Sequence, residues 1–189
     1  MGMDNDSDVK IYGQSGEDED RDRDETIRLI EETHRQRKNG NSQKAKQLGK
    51  DLAAIAPGEK YFPENLEDEF MEASVLEQVC ALLLFSSEAA LQYYLPSPFL
   101  STIAINTLQD RLSAQENPLY TAALDGSAFS LYYLDVRKED EGRPNDVGAV
   151  FARLCAKQGY EKYELMGKDI YTNSLKNIRD RIKSFKFKK

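Results

Sequence analysis

His34 is the single histidine of this sequence, so any catalytic arrangement that needs an imidazole would depend on it. With Glu31 it forms a Glu-x-x-His step, which places both side chains on one helical face, as in carboxylate-bridged di-iron bundles. Those sites use the step twice, and the sequence has no second histidine. Hydrolase arrangements of the Ser-His-Asp or Cys-His kind would depend on the same residue. The sequence therefore predicts no metal site and no cofactor, leans away from an enzyme, and leaves any catalytic residue unknown.

The two cysteines, Cys80 and Cys155, lie far apart in the sequence and inside apolar helical patterns. A disulfide framework would normally show several cysteines at short spacings. A reactive thiol would need an electropositive and partly exposed setting. We therefore interpret both residues as reduced, buried thiols and expect a cytoplasmic protein.

Tyrosine is frequent, with ten residues in a chain of 189. Its ring is apolar and its hydroxyl needs a partner, so tyrosine suits half-buried positions, clefts and interfaces. Adjacent tyrosines on one helix point about 100° apart, so at most one of each pair faces fully inward. The candidate residues for an interface or an inter-helix pocket are Tyr93, Tyr94, Tyr132, Tyr133, Tyr163 and Tyr171.

A basic stripe is predicted on the last helix of the chain. Lys176, Arg179, Lys183 and Lys186 recur at spacings of three, four and three, which places them on one side of a helix. Such a stripe can bind phosphate groups, an anionic membrane or an acidic partner. Basic residues at a helix carboxyl end also favour the helix dipole, which is the simpler interpretation.

The net charge of −7 is concentrated at the start of the chain. Residues 1–25 hold ten acids against three bases and account for all of it, so residues 26–189 are neutral. Residues 1–20 contain few apolar groups, and we expect them to form a disordered acidic tail. A neutral fold with an acidic tail argues against nucleic acid as a partner.

Residues 21–58 are predicted to form a helical hairpin. Ile27, Ile30 and His34 advance by three and four along its first helix and are expected to face inward. The turn falls at residues 39–41, Asn-Gly-Asn, because these residue types tolerate the backbone conformation that ends a helix. The second helix carries apolar residues at helical spacing: Ala45, Leu48, Leu52 and Ile55.

Residues 25–57 resemble a single tetratricopeptide hairpin, whose repeat is about 34 residues long. The turn at 39–41, the small Ala45 and the closing Pro57 stand where that family has its turn, small residue and proline. The sequence departs from the family pattern at Glu32, Thr33, Gln36 and Gly49. The resemblance implies a helix–turn–helix unit. It does not imply the family's peptide groove, because no second copy follows and such repeats are stable in groups of about three.

Residues 66–189 are predicted to form a helical bundle that continues from the hairpin. The segment 66–95 becomes apolar on all sides, which is typical of a central, buried helix. Its longest apolar run, residues 79–85, is far shorter than the roughly 20 residues of a transmembrane helix. Residues 128–138 mix strand and helix propensities, and the lack of clean alternation favours a helix. The fold class predicted is all-α, a multi-helix bundle of about eight helices.

No catalytic pattern outweighs these architectural features, so the leading functional hypothesis is a protein–protein interaction or regulatory module. The first alternative is an enzyme or small-molecule binder with a pocket between helices lined by the tyrosines. The second is anion or nucleic-acid binding through the basic stripe. Another protein is the expected partner, and self-association is compatible with the sequence.

Overall fold

The computed structural model describes residues 16–55, 72–136 and 144–188, and this part of the chain forms eight α-helices without a strand. The predicted all-α bundle of about eight helices is therefore confirmed, and residues 127–136 are helical. Three stretches of the chain lie outside the described residues. They are residues 1–15 of the predicted tail, residues 56–71, which include the linker and the start of the predicted segment 66–95, and the loop residues 137–143. The helices are α1 (Gly16–Lys38), α2 (Asn41–Ile55), α3 (Ala73–Tyr94), α4 (Pro98–Ser113), α5 (Pro118–Asp125), α6 (Ser127–Val136), α7 (Pro144–Leu154) and α8 (Glu161–Ser184).

Two helix starts follow the same sequence rule, a capping side chain before a proline. Ser97 precedes Pro98, and its hydroxyl accepts a hydrogen bond from the backbone N–H of Leu100. Asn117 precedes Pro118, and its side-chain oxygen accepts from the N–H of Leu119 at 3.0 Å. Each cap satisfies a backbone donor that the first helical turn leaves without an intrahelical partner. Short, well-defined connections between α3, α4 and α5 result.

Helix α3 is the central element, in contact with α4, α5, α6 and α8. Its residues from Val79 to Ser86 are buried without interruption, so it is covered on every side there. Among the described helices, α3 has the length and hydropathy of a membrane span, but 67% of that window is buried inside the protein. Burial by neighbouring helices is typical of a core helix, and it accounts for the apolar composition.

Glycine allows two helix pairs to approach closely. A Cβ atom at Gly49 of α2 would lie 2.5 Å from the backbone oxygen of Ala104 in α4. A Cβ at Gly148 of α7 would lie 2.2 Å from the backbone oxygen of Glu164 in α8. Both distances are far shorter than a van der Waals contact, so only glycine fits. The pairs α2–α4 and α7–α8 consequently have the most extensive contacts between helices.

Helix α1 packs on α2 through a polar face, which corrects the predicted orientation of Ile27, Ile30 and His34. All three side chains are exposed, and among the α1 side chains that the structure describes Gln36 is the buried one, with 2% of its surface accessible. At about 3.6 residues per turn, Ile27 lies on the opposite side of the helix from Gln36. The three-to-four spacing identified a stripe correctly but assigned it to the wrong side. The helix also begins at Gly16, before the predicted start near residue 21.

The chain segment after α8 returns to the turn between α1 and α2. Asn41 is fully buried there, and its side-chain amide donates to the carbonyl oxygen of Lys188 at 2.7 Å. The side-chain oxygen of Asn41 accepts from the backbone N–H of Lys188 at 3.0 Å. Nearby, the Lys44 ammonium donates to the carbonyl oxygen of Lys186 at 2.7 Å. These bonds connect the hairpin directly to the end of the described chain.

Candidate functional site

The side of α1 that faces away from α2 carries a stripe that we call the outer stripe, formed by Arg23, Ile27, Ile30, His34 and Arg37. All five residues are exposed, with 46% of Ile27 and 53% of Ile30 accessible to solvent. The inner side of the same helix is held by hydrogen bonds: Gln36 donates to Glu32 at 2.7 Å, and the buried Asn41 donates to Gln36 at 2.5 Å. The stripe is therefore presented to solvent by a helix that is fixed at its last turns, while residues 26–31 are exposed on all sides.

An open groove lies beside the outer stripe, lined by Arg28, Glu31, Glu32 and Arg35. Arg35 forms an ion pair with Glu32. Hydrogen bonding from Gln36 is the main cause that lowers the pKa of the Glu32 carboxyl, so this group stays ionised next to the guanidinium. The Glu31–His34 step is exposed on this part of α1, and no cluster of three or more metal-ligating side chains occurs within the described residues.

Four of the predicted tyrosine positions belong to the environment of Phe85 and α3 rather than to one open cleft. Tyr132 and Tyr171 stack on the Phe85 ring with centroids 5.2 Å and 6.0 Å away, and Tyr133 meets it edge-on at 5.2 Å. Tyr94 is half-buried near Tyr171. This arrangement is an aromatic core.

The remaining two predicted tyrosines lie apart from that core. Tyr93 is 71% exposed and contacts the ring of Tyr94 edge-on at 4.9 Å. Tyr163 is buried in α8, and the Lys157 ammonium lies 5.8 Å from its ring centroid, within the range of a cation–π contact. The six positions are thus divided between core and surface, and Tyr93 alone among them is largely open to solvent.

Burial makes both cysteine thiols poor nucleophiles. Burial raises the pKa of Cys80 to about 11 and that of Cys155 to about 12, although Lys157 acts in the opposite direction on Cys155. Both thiols are free, and Cys155 is only half-buried. Because the thiolate is the reactive form, neither group is activated.

Glu88 is a buried carboxyl in α3 that the sequence analysis missed. One carboxyl oxygen accepts from the Gln109 amide at 2.5 Å, and the other accepts from the Tyr133 hydroxyl at 3.1 Å. The Gln92 amide donates in turn to the Tyr133 oxygen at 3.4 Å. Burial raises the pKa of Glu88, and the two hydrogen bonds oppose that shift. The sequence does mark this position, because Glu88 is the one charged residue between positions 79 and 95 of a strongly apolar segment.

The predicted basic stripe is divided by the end of α8. Lys176, Arg179 and Lys183 lie on the helix, which ends at Ser184, and Lys186 follows it with a positive φ of 49°. Arg179 and Lys183 both contact the carboxylate of Asp180 at 3.4 Å. Two of the four basic groups therefore have an acidic partner within the same helix.

These observations define the class of molecule as an all-α helical bundle with an amphipathic first helix. No family model, no curated protein and no solved structure matches the chain. The arrangement of its own residues is thus the basis for a functional proposal.

Proposed function

We propose that this protein is a protein–protein interaction module and that the outer stripe of α1 is its docking surface. The observation that carries the proposal is the exposure of Ile27 and Ile30 on one side of α1, a helix whose contact with α2 lies at its last turns, around Gln36. Scattered apolar residues are normal on a surface, but two isoleucines at a three-residue spacing form a continuous apolar edge. Burying such an edge against a partner helix is a common mode of recognition.

The surroundings of the two isoleucines support this choice. Arg23, His34 and Arg37 extend the same stripe at both ends, so a polar rim surrounds a small apolar centre. Interfaces commonly combine a desolvated centre with a polar rim, and the centre supplies most of the binding energy. The core beneath, from α2 to α8, has its own buried residues and does not need the outer stripe for its packing.

The alternatives have weaker support. At Glu88, the raised pKa favours acid–base chemistry, but the carboxyl is buried and each of its oxygens already accepts a hydrogen bond from a protein side chain. On α8, Asp180 offsets Arg179 and Lys183, which weakens a site for anions. Cytoplasmic localisation remains part of the proposal, supported by the two free cysteines.

The test places a photo-reactive amino acid at position 34 of the full-length chain in cells of the native host. We expect covalent adducts with a protein partner, identified by mass spectrometry, and we expect Ile27→Glu/Ile30→Glu to abolish them. Because both isoleucines are exposed, the double variant should keep its free energy of unfolding within about 0.5 kcal/mol of wild type.

A matched control is Leu134→Glu/Leu165→Glu, which introduces the same charges at two exposed leucines of α6 and α8. This variant should leave the adducts unchanged. Adducts that persist after both α1 isoleucines are replaced, or their absence from wild type, would contradict the proposal.

A further inference from the structure

The outer stripe has the spacing of a helix-pairing seam. Arg23, Ile27, Ile30, His34 and Arg37 follow one another at steps of four, three, four and three, as the a and d positions of a heptad do. The two isoleucines stand at its centre and the polar residues at its ends. A partner helix must therefore supply its apolar side chains at the centre and polar ones at both ends, and the same stripe of a second copy does so.

The charge of α1 changes sign along its length. Residues 16–25 contain seven acids and two bases, a net of −5, whereas residues 26–38 contain two acids and four bases, a net of +2. A parallel pair of such helices would place the two acidic halves side by side. An antiparallel pair places each acidic half beside the basic half of the other copy.

The antiparallel register that centres on the isoleucines also aligns individual charges. When position 27 lies opposite position 30 of the second copy, position 20 lies opposite position 37 on the same seam. Position 20 is acidic in the sequence and position 37 is basic. Opposite charges beside a helix seam determine which partner and which orientation are preferred.

We propose that the outer stripe binds the outer stripe of a second copy of this chain in an antiparallel, two-fold symmetric pair of α1 helices. This inference rests on the proposed function and names the partner of the same surface. If one residue of the first copy contacts a second residue of the other copy, the reverse contact also forms, as in any two-fold interface. Two isoleucines from each copy form only a small apolar centre, so the population of the dimer depends on protein concentration. Added salt weakens the dimer because it screens the attraction between the acidic and basic halves.

Sedimentation equilibrium of the full-length protein over a range of concentrations tests the dimer. Wild type should show a reversible monomer–dimer equilibrium, and Ile27→Glu/Ile30→Glu should raise the dissociation constant by roughly 100-fold or more, because it places four carboxylates at the centre of the contact. The control Leu134→Glu/Leu165→Glu should dissociate like wild type. A wild type that stays monomeric at every concentration overturns the inference.

Charge reversal tests the partner. Arg37→Glu/Lys38→Glu and Glu19→Lys/Asp20→Lys should each weaken self-association by roughly tenfold or more, since each creates like-charge contacts at both ends of the pair. An equimolar mixture of the two variants should associate again as a heterodimer. Equal behaviour of the mixture and the separate variants contradicts the antiparallel register.

Cysteine cross-linking tests the orientation. In the proposed register Arg23→Cys of one copy faces His34→Cys of the other, so a mixture of the two single variants should form a mixed disulfide under mild oxidation. Each variant alone should not cross-link, because its cysteines lie about 16 Å apart along the helix axis. Cross-linking of either variant with itself indicates a parallel pair and overturns the inference.

Two outcomes separate this inference from the proposed function. A monomeric protein whose position 34 still cross-links to a different protein in cells retains the docking function and loses the dimer. The second outcome is that Ile27→Glu/Ile30→Glu lowers the free energy of unfolding of the monomer by more than about 1 kcal/mol. That result would mean that the chain itself covers the stripe, and it would contradict both the docking function and the dimer.

Discussion

Glu88 shows how a single carboxyl is accommodated among apolar helices. The side chain is buried where α3 meets α4 and α6, and Gln109 and Tyr133 supply a hydrogen bond to each oxygen. Both hydrogen bonds stabilise the charged carboxylate, but burial destabilises it more and raises the pKa of the group. Glu88 therefore binds its proton more tightly in the folded protein than in the unfolded chain.

That raised pKa predicts a pH dependence of stability. The stabilising contribution of protonated Glu88 is fully present below 4.5, the ordinary pKa of the group, and is lost as pH rises through the folded-state value. Glu88→Gln keeps a polar side chain of similar shape without the charge, so it should remove this loss. Urea unfolding from acidic to neutral pH should show the variant gaining stability relative to wild type as pH rises.

The matched control for this prediction is Glu77→Gln, which neutralises an exposed carboxyl of the same helix. Its pH profile should follow wild type. If Glu88→Gln loses stability at neutral pH relative to wild type, the hydrogen bonds to Gln109 and Tyr133 contribute more than burial costs, and the argued sign is wrong.

At the scale of helices, the contact between α7 and α8 depends on the absence of a side chain at Gly148. Alanine is usually the better helix residue by about 1 kcal/mol. Here its Cβ would lie 2.2 Å from the Glu164 backbone oxygen, and backbone can only yield if the helices separate. Gly148→Ala should therefore lower the free energy of unfolding by about 1 to 3 kcal/mol, measured by chemical denaturation.

Two comparison variants sharpen this prediction. Gly167→Ala would place its Cβ 2.6 Å from the Cβ of the buried Phe151, which side-chain rotation cannot move, so a similar cost is expected at this second close contact of α7 and α8. Thr172→Ala, at an exposed position of α8, should be neutral or slightly stabilising. A neutral Gly148→Ala would mean that the α7–α8 distance is easily increased.

The helices were predictable from the sequence because their boundaries are marked by local chemistry. Ser97 before Pro98, Asn117 before Pro118 and the Asn-Gly-Asn turn at 39–41 each satisfy or end a helix without help from distant residues. The orientation of α1 was not predictable in the same way. A stripe formed by Ile27 and Ile30 has the same spacing whether it faces a core or solvent.

The candidate sites were less predictable, because they depend on pairs of residues far apart in the sequence. The number of tyrosines drew attention to these residues but did not indicate how they are grouped. The packing of α3, α6 and α8 is what brings Tyr132 and Tyr171 onto Phe85. Glu88 obtains its partners from α4 and α6, at Gln109 and Tyr133. No spacing rule within one helix contains that information.

At the scale of the whole molecule, Asn41 connects the hairpin to the segment after α8. Its amide serves both polar backbone groups of Lys188, so Asn41→Ala leaves that N–H and that C=O without these partners. We expect a loss of about 1 to 3 kcal/mol in the free energy of unfolding and faster hydrogen exchange at the Lys188 amide. Asn173→Ala, which replaces an exposed asparagine of α8, should change neither measurement. Unchanged exchange at Lys188 in Asn41→Ala would contradict the role assigned to this side chain.

The bond between Asn41 and Lys188 joins residues 147 positions apart, which has a consequence during synthesis on the ribosome. At a translation rate of about 5 to 20 residues per second, roughly 7 to 30 seconds separate the production of these two residues. Throughout that interval the Asn41 amide lacks the backbone groups that it binds in the finished protein. The nascent hairpin must therefore rely on water, or on Gln36, to satisfy this polar group until residue 188 has been made.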